Sequence, residues 1–229
     1  MREGERIFYY EAKKNWWSRT GVPENMPPGE PGGPDTEMFY RFDVDHDTKY
    51  GEHCHPNCDC GRFIEIGNNV FMEYVKNADG TFSKLPQKNV DFGGGLERVA
   101  AAAIDTPDTF KVDLLYSVVQ AIEKLSGKKY EDNLVAFRVI TDHIRGATFM
   151  IGENIYPSNT EQGYFVRRLL RRSVRYADML GIPAGRLKDL VESVIAPYQG
   201  FYPNVVEKKE QIAEVIAQEE EQFRKTLVH

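Results

Sequence analysis

Nowhere in the 229 residues does an apolar run approach the ~18 needed to span a bilayer. The opening Met-Arg-Glu-Gly-Glu-Arg is charged and has no apolar stretch behind it, which argues against a secretory leader. Cysteine is scarce and odd in number. The three all lie between Cys54 and Cys60, too close and too few for a disulfide framework. A reducing, cytoplasmic setting with no membrane partner is therefore expected. A basic excess is missing as well. The net charge of −6 argues against a surface built to coat nucleic acid, but it leaves room for a local basic stripe. What is present, 41% hydrophobic and 28% charged residues, is ordinary for a globular chain holding one large domain or two modest ones.

The first third has short apolar runs between turn-forming residues. Arg6 to Tyr10, Met38 to Phe42, Arg62 to Ile66 and Val70 to Tyr74 read as strands. The stretch 23–34, "PENMPPGEPGGP", reads as an irregular loop long enough to be functional. Asn77 to Gly80 is a hairpin signal, and a helix begins near Leu96. After Ile104 the character changes. Asp105 to Thr109 reads as a linker supplying an N-cap, and Val112, Leu115, Val119 and Ile122 recur at helical spacing until Gly127. Four more helices are expected, over Leu134 to Met150, Gly163 to Leu180, Leu187 to Ile195 and Val205 to Leu227. The expectation is an α+β chain: a mainly antiparallel sheet over residues 1–107, then an all-helical part over residues 108–229.

"NVDFGGGLERVAAAAI", from Asn89 to Ile104, sets an acid and three glycines before a helix. It lacks the Gly-Lys-Ser/Thr of a nucleotide P-loop and the G-x-G-x-x-G of a dinucleotide fold, because Leu96-Glu97-Arg98 follows the glycines. What remains is close backbone approach, with Asp91 suited to an ammonium group and Arg98 to a phosphate. A tight helix–sheet joint fits the local residues equally well.

This segment resembles motif 3 of the class II aminoacyl-tRNA synthetases, a strand and helix whose arginine binds ATP. In the form "VDFGGGLER" it is similar to the alanyl-tRNA synthetases, where Val-Asp-Thr-Gly-Met-Gly-Leu-Glu-Arg is usual. "NWW" (Asn15 to Trp17), "GEPGGPDTEMFY" (Gly29 to Tyr40), "RFIEIGNNVFMEY" (Arg62 to Tyr74) and "DGTFSKLPQKNVD" (Asp79 to Asp91) resemble the same family in the same order. Downstream, Asp142 to Ala177 resembles its acceptor-stem recognition helices. The resemblance implies a partial class II antiparallel sheet with motif 3 at 90–104, followed by an all-helical tRNA-recognition domain. It implies that Asp91 holds the alanine ammonium, that Gly93 and Gly95 shape the substrate pocket, that Trp17 walls it and that Asn68 hydrogen-bonds the amino acid. Arg98 would engage the phosphates of ATP, which is used together with Mg²⁺. Phe92 and Gly94 depart from the family's Thr and Met.

Arg167, Arg168, Arg171, Arg172 and Arg175 lie along one side of a helix, opposite Val166, Leu169, Leu170 and Val174. They form either a phosphate footprint or a solvated, ion-paired face. The resemblance favours the acceptor stem of tRNA(Ala) as partner, with Asn159 reading a base pair from the minor-groove side. "EHCHPNCDCGRF" offers His53, Cys54, Cys58 and Cys60 as a candidate Zn²⁺ set, with His55 as alternative to His53. A reduced turn without metal is the competing reading.

Motifs 1 and 2 of class II synthetases precede the Asn-Phe-Trp segment in the family and do not occur in these residues, nor does a His-x-x-x-His editing signature. The expectation is an internal piece of an alanine–tRNA ligase, inactive alone, with a separate N-terminal chain carrying motifs 1 and 2 as one form of partner. A non-catalytic tRNA-binding module is the alternative.

Overall fold

Asn77 to Gly80 turns the chain through a hairpin closed by Asn77 N–H donating to Thr81 O at 2.8 Å, with Gly80 at φ +86°. Asp79 holds the turn by accepting from the Thr81 amide at 3.0 Å and the Thr81 hydroxyl at 2.6 Å. In this computed structural model, which describes residues 2–227, the hairpin joins β3 (Phe63–Lys76) to β4 (Phe82–Gly94). β2 (Pro31–Arg41) and the short β1 (Trp16–Ser18) complete a sheet of order β1-β2-β3-β4, antiparallel throughout. A single turn of helix, α1 (Ala12–Asn15), leads into β1, and α2 (Leu96–Ala103) leaves β4.

Three sequence expectations change here. Residues 6–10 form no strand, because their backbone is used locally. Arg6 and Ile7 N–H donate to Arg2 O, and Tyr10 N–H donates to Asn15 Oδ1 at 2.8 Å. The proline-rich stretch is not irregular to its end, since β2 already begins at Pro31. Glycine makes that possible: a Cβ on Gly33 would lie 1.8 Å from the Phe71 carbonyl oxygen, so only glycine lets the strands approach there. The two strand-like runs at 62–66 and 70–74 are one strand, β3, with irregular register at Met38/Phe39 and Met72/Tyr74.

The chain divides into two units, Met1–Thr109 and Phe110–His229. The second holds α3 (Asp113–Ser126), α4 (Leu134–Gly152), α5 (Glu161–Leu180), α6 (Leu190–Ile195), α7 (Pro203–Glu207) and α8 (Lys209–Leu227). Gly127 and Gly181 end α3 and α5 in the left-handed conformation, as the sequence suggests. Val112 caps α3, so the linker at 105–109 does not supply its N-cap side chain. The expected fourth helix is a 3₁₀ turn at Leu187–Asp189 followed by α6. The expected fifth is two helices meeting at Lys208, whose ammonium binds the Gly152 carbonyl at 2.7 Å. α4 lies in the middle of the bundle, burying Phe137, Ile140, Ile144, Ala147 and Ile151 against α5, α6 and α8.

Candidate functional site

In the sheet unit the strand register assembles the site. Asp35, Val70 and Asp91 are aligned across β2, β3 and β4, and Glu37, Asn68 and Gly93 form the rung two residues along. Residues two apart on a strand share a face, so these six side-chain positions face the same way. Phe92, between Asp91 and Gly93, points to the other face, where its ring packs over Gly67 and Gly94. The bulky departure from the family's threonine therefore leaves the Asp91 face open. A Cβ at Gly93 would meet nothing within 4 Å, whereas one at Gly95 would come within 3.0 Å of the Arg98 stem. Gly93 is open floor, and Gly95 is a close packing joint.

Three acids the sequence reading passed over converge on this face. Asp35 is buried and accepts from Asn68 Nδ2 at 3.1 Å, while its second oxygen and Asn68 Oδ1 are buried without a protein partner. Burial pushes the Asp35 carboxyl above its ordinary range, against the lowering effect of the Asn68 bond. Glu37 is raised in the same way by burial, then by Glu65 and Asp35, with Lys14 and Arg98 opposing. Arg98 Nη1 is 3.2 Å from Glu65 Oε2 and donates to the Glu65 carbonyl at 3.2 Å. A guanidinium has five N–H donors, so this pairing orients Arg98 without exhausting it. Val70, the neighbour of Asp91, and Glu65, the neighbour of Arg98, are five residues apart along β3, about 15 Å of strand. Trp17, at the sheet edge, is 41% exposed, while Trp16 before it packs on Tyr74 and Phe82.

At the Arg98 end lies a cavity of about 460 Å³. Lys14, Phe39, Glu65 and Arg98 line one side, and Pro56 to Asp59 of the cysteine segment line the other. Its size falls in the range of small-ligand sites. A larger cavity of about 510 Å³ lies in the helical unit beside Gly185, Lys188 and Glu220. Much of the charge there is paired, Arg224 with Glu220 at 2.9 Å and Asp178 at 2.8 Å, and Lys225 with Glu221 at 2.8 Å.

The cysteine segment differs from its sequence reading in one ligand. His46, Cys54, Cys58 and Cys60 come together with all four donor atoms within 4.8 Å of one another. The fourth member is His46 rather than His53. His53 is exposed, and His55 is hydrogen-bonded through Nδ1 to the Tyr10 hydroxyl at 2.9 Å. Burial raises Cys58. Burial also opposes ionisation of Cys60, but hydrogen bonds from His46, the Arg62 backbone, Cys58 and Cys54 bring its thiol down to about 6.

In the helical unit the arginine stripe divides. Arg167 and Arg171, one turn apart on α5, converge on buried Glu219 of α8, at 3.2 and 2.7 Å. Arg168, Arg172 and Arg175 are exposed. Ion pairing thus accounts for Arg167 and Arg171 of the stripe. Asn159 is exposed on the loop before α5 and accepts through Oδ1 from Arg167 Nη1. That contact uses the side-chain oxygen and not the amide hydrogens. The loop is tied to the helix by Ser158 N–H donating to the Gly163 carbonyl at 3.0 Å, and a Cβ at Gly163 would sit 2.2 Å from Ser158 Oγ. Among the described residues no helix is long and apolar enough to cross a membrane.

A family model described as tRNA synthetases class II (A) matches residues 2–229. The alanine–tRNA ligase of Bacillus velezensis is 42% identical over 235 residues, and that of Shouchella clausii 40% over 232, each alignment covering 95% of this chain and 26% of the relative. For the alanine–tRNA ligase of Borreliella afzelii the figures are 41% identity over 229 residues, 97% of this chain and 37% of the relative. The chain thus spans about a quarter to just over a third of the length of these curated relatives.

Proposed function

The chain belongs to the class II (A) tRNA synthetase family, and on that footing we propose that it supplies part of an alanine–tRNA ligase, which activates alanine with ATP and passes it to tRNA(Ala). The observation that carries this reading is the shared face of Asp91, Asn68 and Gly93, with Arg98 held at its far end by Glu65. Asp91 would bind the alanine ammonium, and Asn68 would hydrogen-bond its carboxylate or the adenylate. Open floor at Gly93 would leave room for the substrate, while Trp17 closes the edge. Arg98 would meet the ATP phosphates with the donors Glu65 does not use. The carboxylate of alanine attacks the α-phosphorus and pyrophosphate leaves, so the protein's work is positioning and charge stabilisation.

Mg²⁺ accompanies ATP in this family's reaction, and the donor set here suits it. Glu65 lines the Arg98 cavity and Glu37 is its neighbour; both are hard oxygen donors, and a cation would offset the burial and the nearby Glu65 and Asp35 charges that raise Glu37. The ion would neutralise phosphate charge.

The helical unit would bind the acceptor stem. Exposed Arg168, Arg172 and Arg175 suit phosphate contact, and the amide hydrogens of exposed Asn159 suit an acceptor on a minor-groove base edge.

Motifs 1 and 2 would come from polypeptide outside these 229 residues, either the same chain or a separate one. Alanine-dependent ATP–pyrophosphate exchange tests the reading, measured for this chain alone and mixed with a polypeptide carrying both motifs. Exchange is expected only in the mixture, and Asp91→Ala should abolish it. Undiminished exchange in the Asp91→Ala mixture would refute the assignment. A non-catalytic tRNA-binding module would instead bind the acceptor stem and give no exchange in either case.

A further inference from the structure

The segment between β2 and β3, residues 42–62, has little regular structure. Its only element is a 3₁₀ turn at Thr48–Tyr50. Of its apolar side chains, Phe42 is fully buried and Cys58 nearly so. A loop of this length that carries so little core needs another source of order. Four donor atoms lie at its centre, drawn from sequence positions as far apart as His46 and Cys60.

Two of the six distances among those atoms match the edges of a tetrahedral ion, and all six are within 4.8 Å. Zinc takes thiolate sulfur at ~2.3 Å and imidazole nitrogen at ~2.0 Å, which sets neighbouring ligand atoms about 3.5–3.8 Å apart. Cys54 Sγ and Cys60 Sγ are 3.7 Å apart, far beyond a disulfide bond and matching that edge. Cys58 Sγ and His46 Nδ1 are 3.8 Å apart. A second feature is independent of the cysteines. His46 Nε2 lies 2.8 Å from the Gly51 carbonyl oxygen, which can only accept, so Nε2 carries the hydrogen. That leaves the Nδ1 lone pair facing the three sulfurs, the outer-sphere arrangement that fixes a metal-binding imidazole. Three sulfurs and one nitrogen, with no oxygen donor among them, select zinc over magnesium or calcium.

The site also has a place in the architecture. Cys58 is both a member of the cluster and a lining residue of the Arg98 cavity, and Pro56, Asn57, Asp59 and Gly61 around it complete that wall.

We propose that His46 Nδ1 and the sulfurs of Cys54, Cys58 and Cys60 bind one structural zinc ion, and that this ion holds residues 46–60 in place as a wall of the Arg98 cavity. Zinc content and amide hydrogen exchange test it on the full, untagged chain without reference to nucleotide binding or aminoacylation, so its outcome is separate from that of the ligase reading. One zinc per chain is expected in protein prepared with zinc and without chelator. Cobalt substitution should give the intense visible bands of a tetrahedral sulfur-rich site. His46→Ala and Cys58→Ser should each lose the metal or bind it at least tenfold more weakly, while His53→Ala retains it. Removing zinc from the unmutated chain should speed exchange at residues 42–62 by tenfold or more and leave residues 110–229 unchanged. That arm covers the case of a variant that does not fold. Absence of stoichiometric zinc, retention by His46→Ala with loss in His53→Ala, or unchanged exchange at 42–62 after metal removal would overturn the proposal.

Discussion

Phe137, Ile140 and Ile144 in α4 are fully buried, whereas Phe71, Val90 and Phe92 on the sheet are 41%, 57% and 60% exposed. The contrast runs through the whole molecule. The continuous apolar cluster extends from Val118 to Phe223 and lies wholly within the helical unit. The buried hydrophobics of the sheet unit are Met26, Phe42, Cys58, Val70 and Ala101. The helical unit therefore draws its stability from within. The sheet unit spends its residues differently, on an open face with buried Asp35 and half-buried Glu37 and on strands whose outer side chains stay available for contact.

Substitution should expose that difference most strongly in the cores. Ile140→Ala removes three carbons from a fully enclosed site and should cost about 2–5 kcal/mol of helical-unit stability. Phe92→Ala removes a larger side chain from a largely solvated position, and its cost should stay below about 1 kcal/mol. Urea denaturation can separate the units. Both tryptophans, Trp16 and Trp17, lie in the sheet unit, and far-UV circular dichroism is dominated by the helices. Comparable losses from the two substitutions would erase the proposed contrast.

The same contrast explains what the sequence made legible. Helix signals are local: α3, α4 and α5 follow from residues three and four apart and from glycine at Gly127 and Gly181. The Asn77 hairpin and the motif 3 strand–helix are local too. Sheet pairing is not. Nothing near Gly33 reveals that it must pass the Phe71 carbonyl, so the strand was placed to begin several residues late. Arg6 to Tyr10 has strand-like composition, yet no strand pairs with it. His46 was missed because it stands eight residues before Cys54, and only the fold of the loop brings it in. Glu37 and Glu65 were missed for a related reason: each is unremarkable in its own strand, and the acid cluster exists only after β2 and β3 pair. The arginine stripe was seen in full, but its division depends on Glu219, 48 residues beyond Arg171.

That division gives the next test. Glu219→Ala would leave Arg167 and Arg171 without their common partner, and should cost about 1.5–3 kcal/mol by thermal or urea denaturation. Arg168→Ala, Arg172→Ala and Arg175→Ala should each change stability by less than about 0.5 kcal/mol. On RNA the ranking should invert. Each exposed-arginine substitution should weaken acceptor-stem binding for all sequences alike and reduce the slope of log K against log salt by roughly 0.7–0.9. Asn159→Ala should leave that slope unchanged and lose about 1–3 kcal/mol of discrimination between base pairs. Filter binding at several salt concentrations separates the two. An arginine variant that alters base-pair preference while keeping the salt slope would break the division.

The smallest effect, and the one with opposite signs in the two units, is the response to acid. In the sheet unit burial raises Asp35 above its ordinary 3.8 and Glu37 above 4.5. A carboxyl with a raised folded pKa holds its proton in the native state after the unfolded chain has released it. The native state then binds more protons, and its stability falls as pH rises from those ordinary values through the raised ones. In the helical unit Asp142 is lowered from 3.8, first by its hydrogen bond with His143 at 2.8 Å. Its contribution is present above 3.8 and lost as pH falls through the lowered value. It should be modest, because the Asp142 side chain is 68% exposed and open to screening by salt. Asp35→Asn with Glu37→Gln should therefore flatten the decline in tryptophan-reported stability as pH rises from about 4, the region of their unperturbed titration. Asp142→Asn should flatten the acid-side loss reported by circular dichroism. Should the doubly substituted sheet keep its full slope, Asp35 and Glu37 would not be the source of its pH response. A ligand ammonium or metal ion would then have no strained acid pair to relieve on that face.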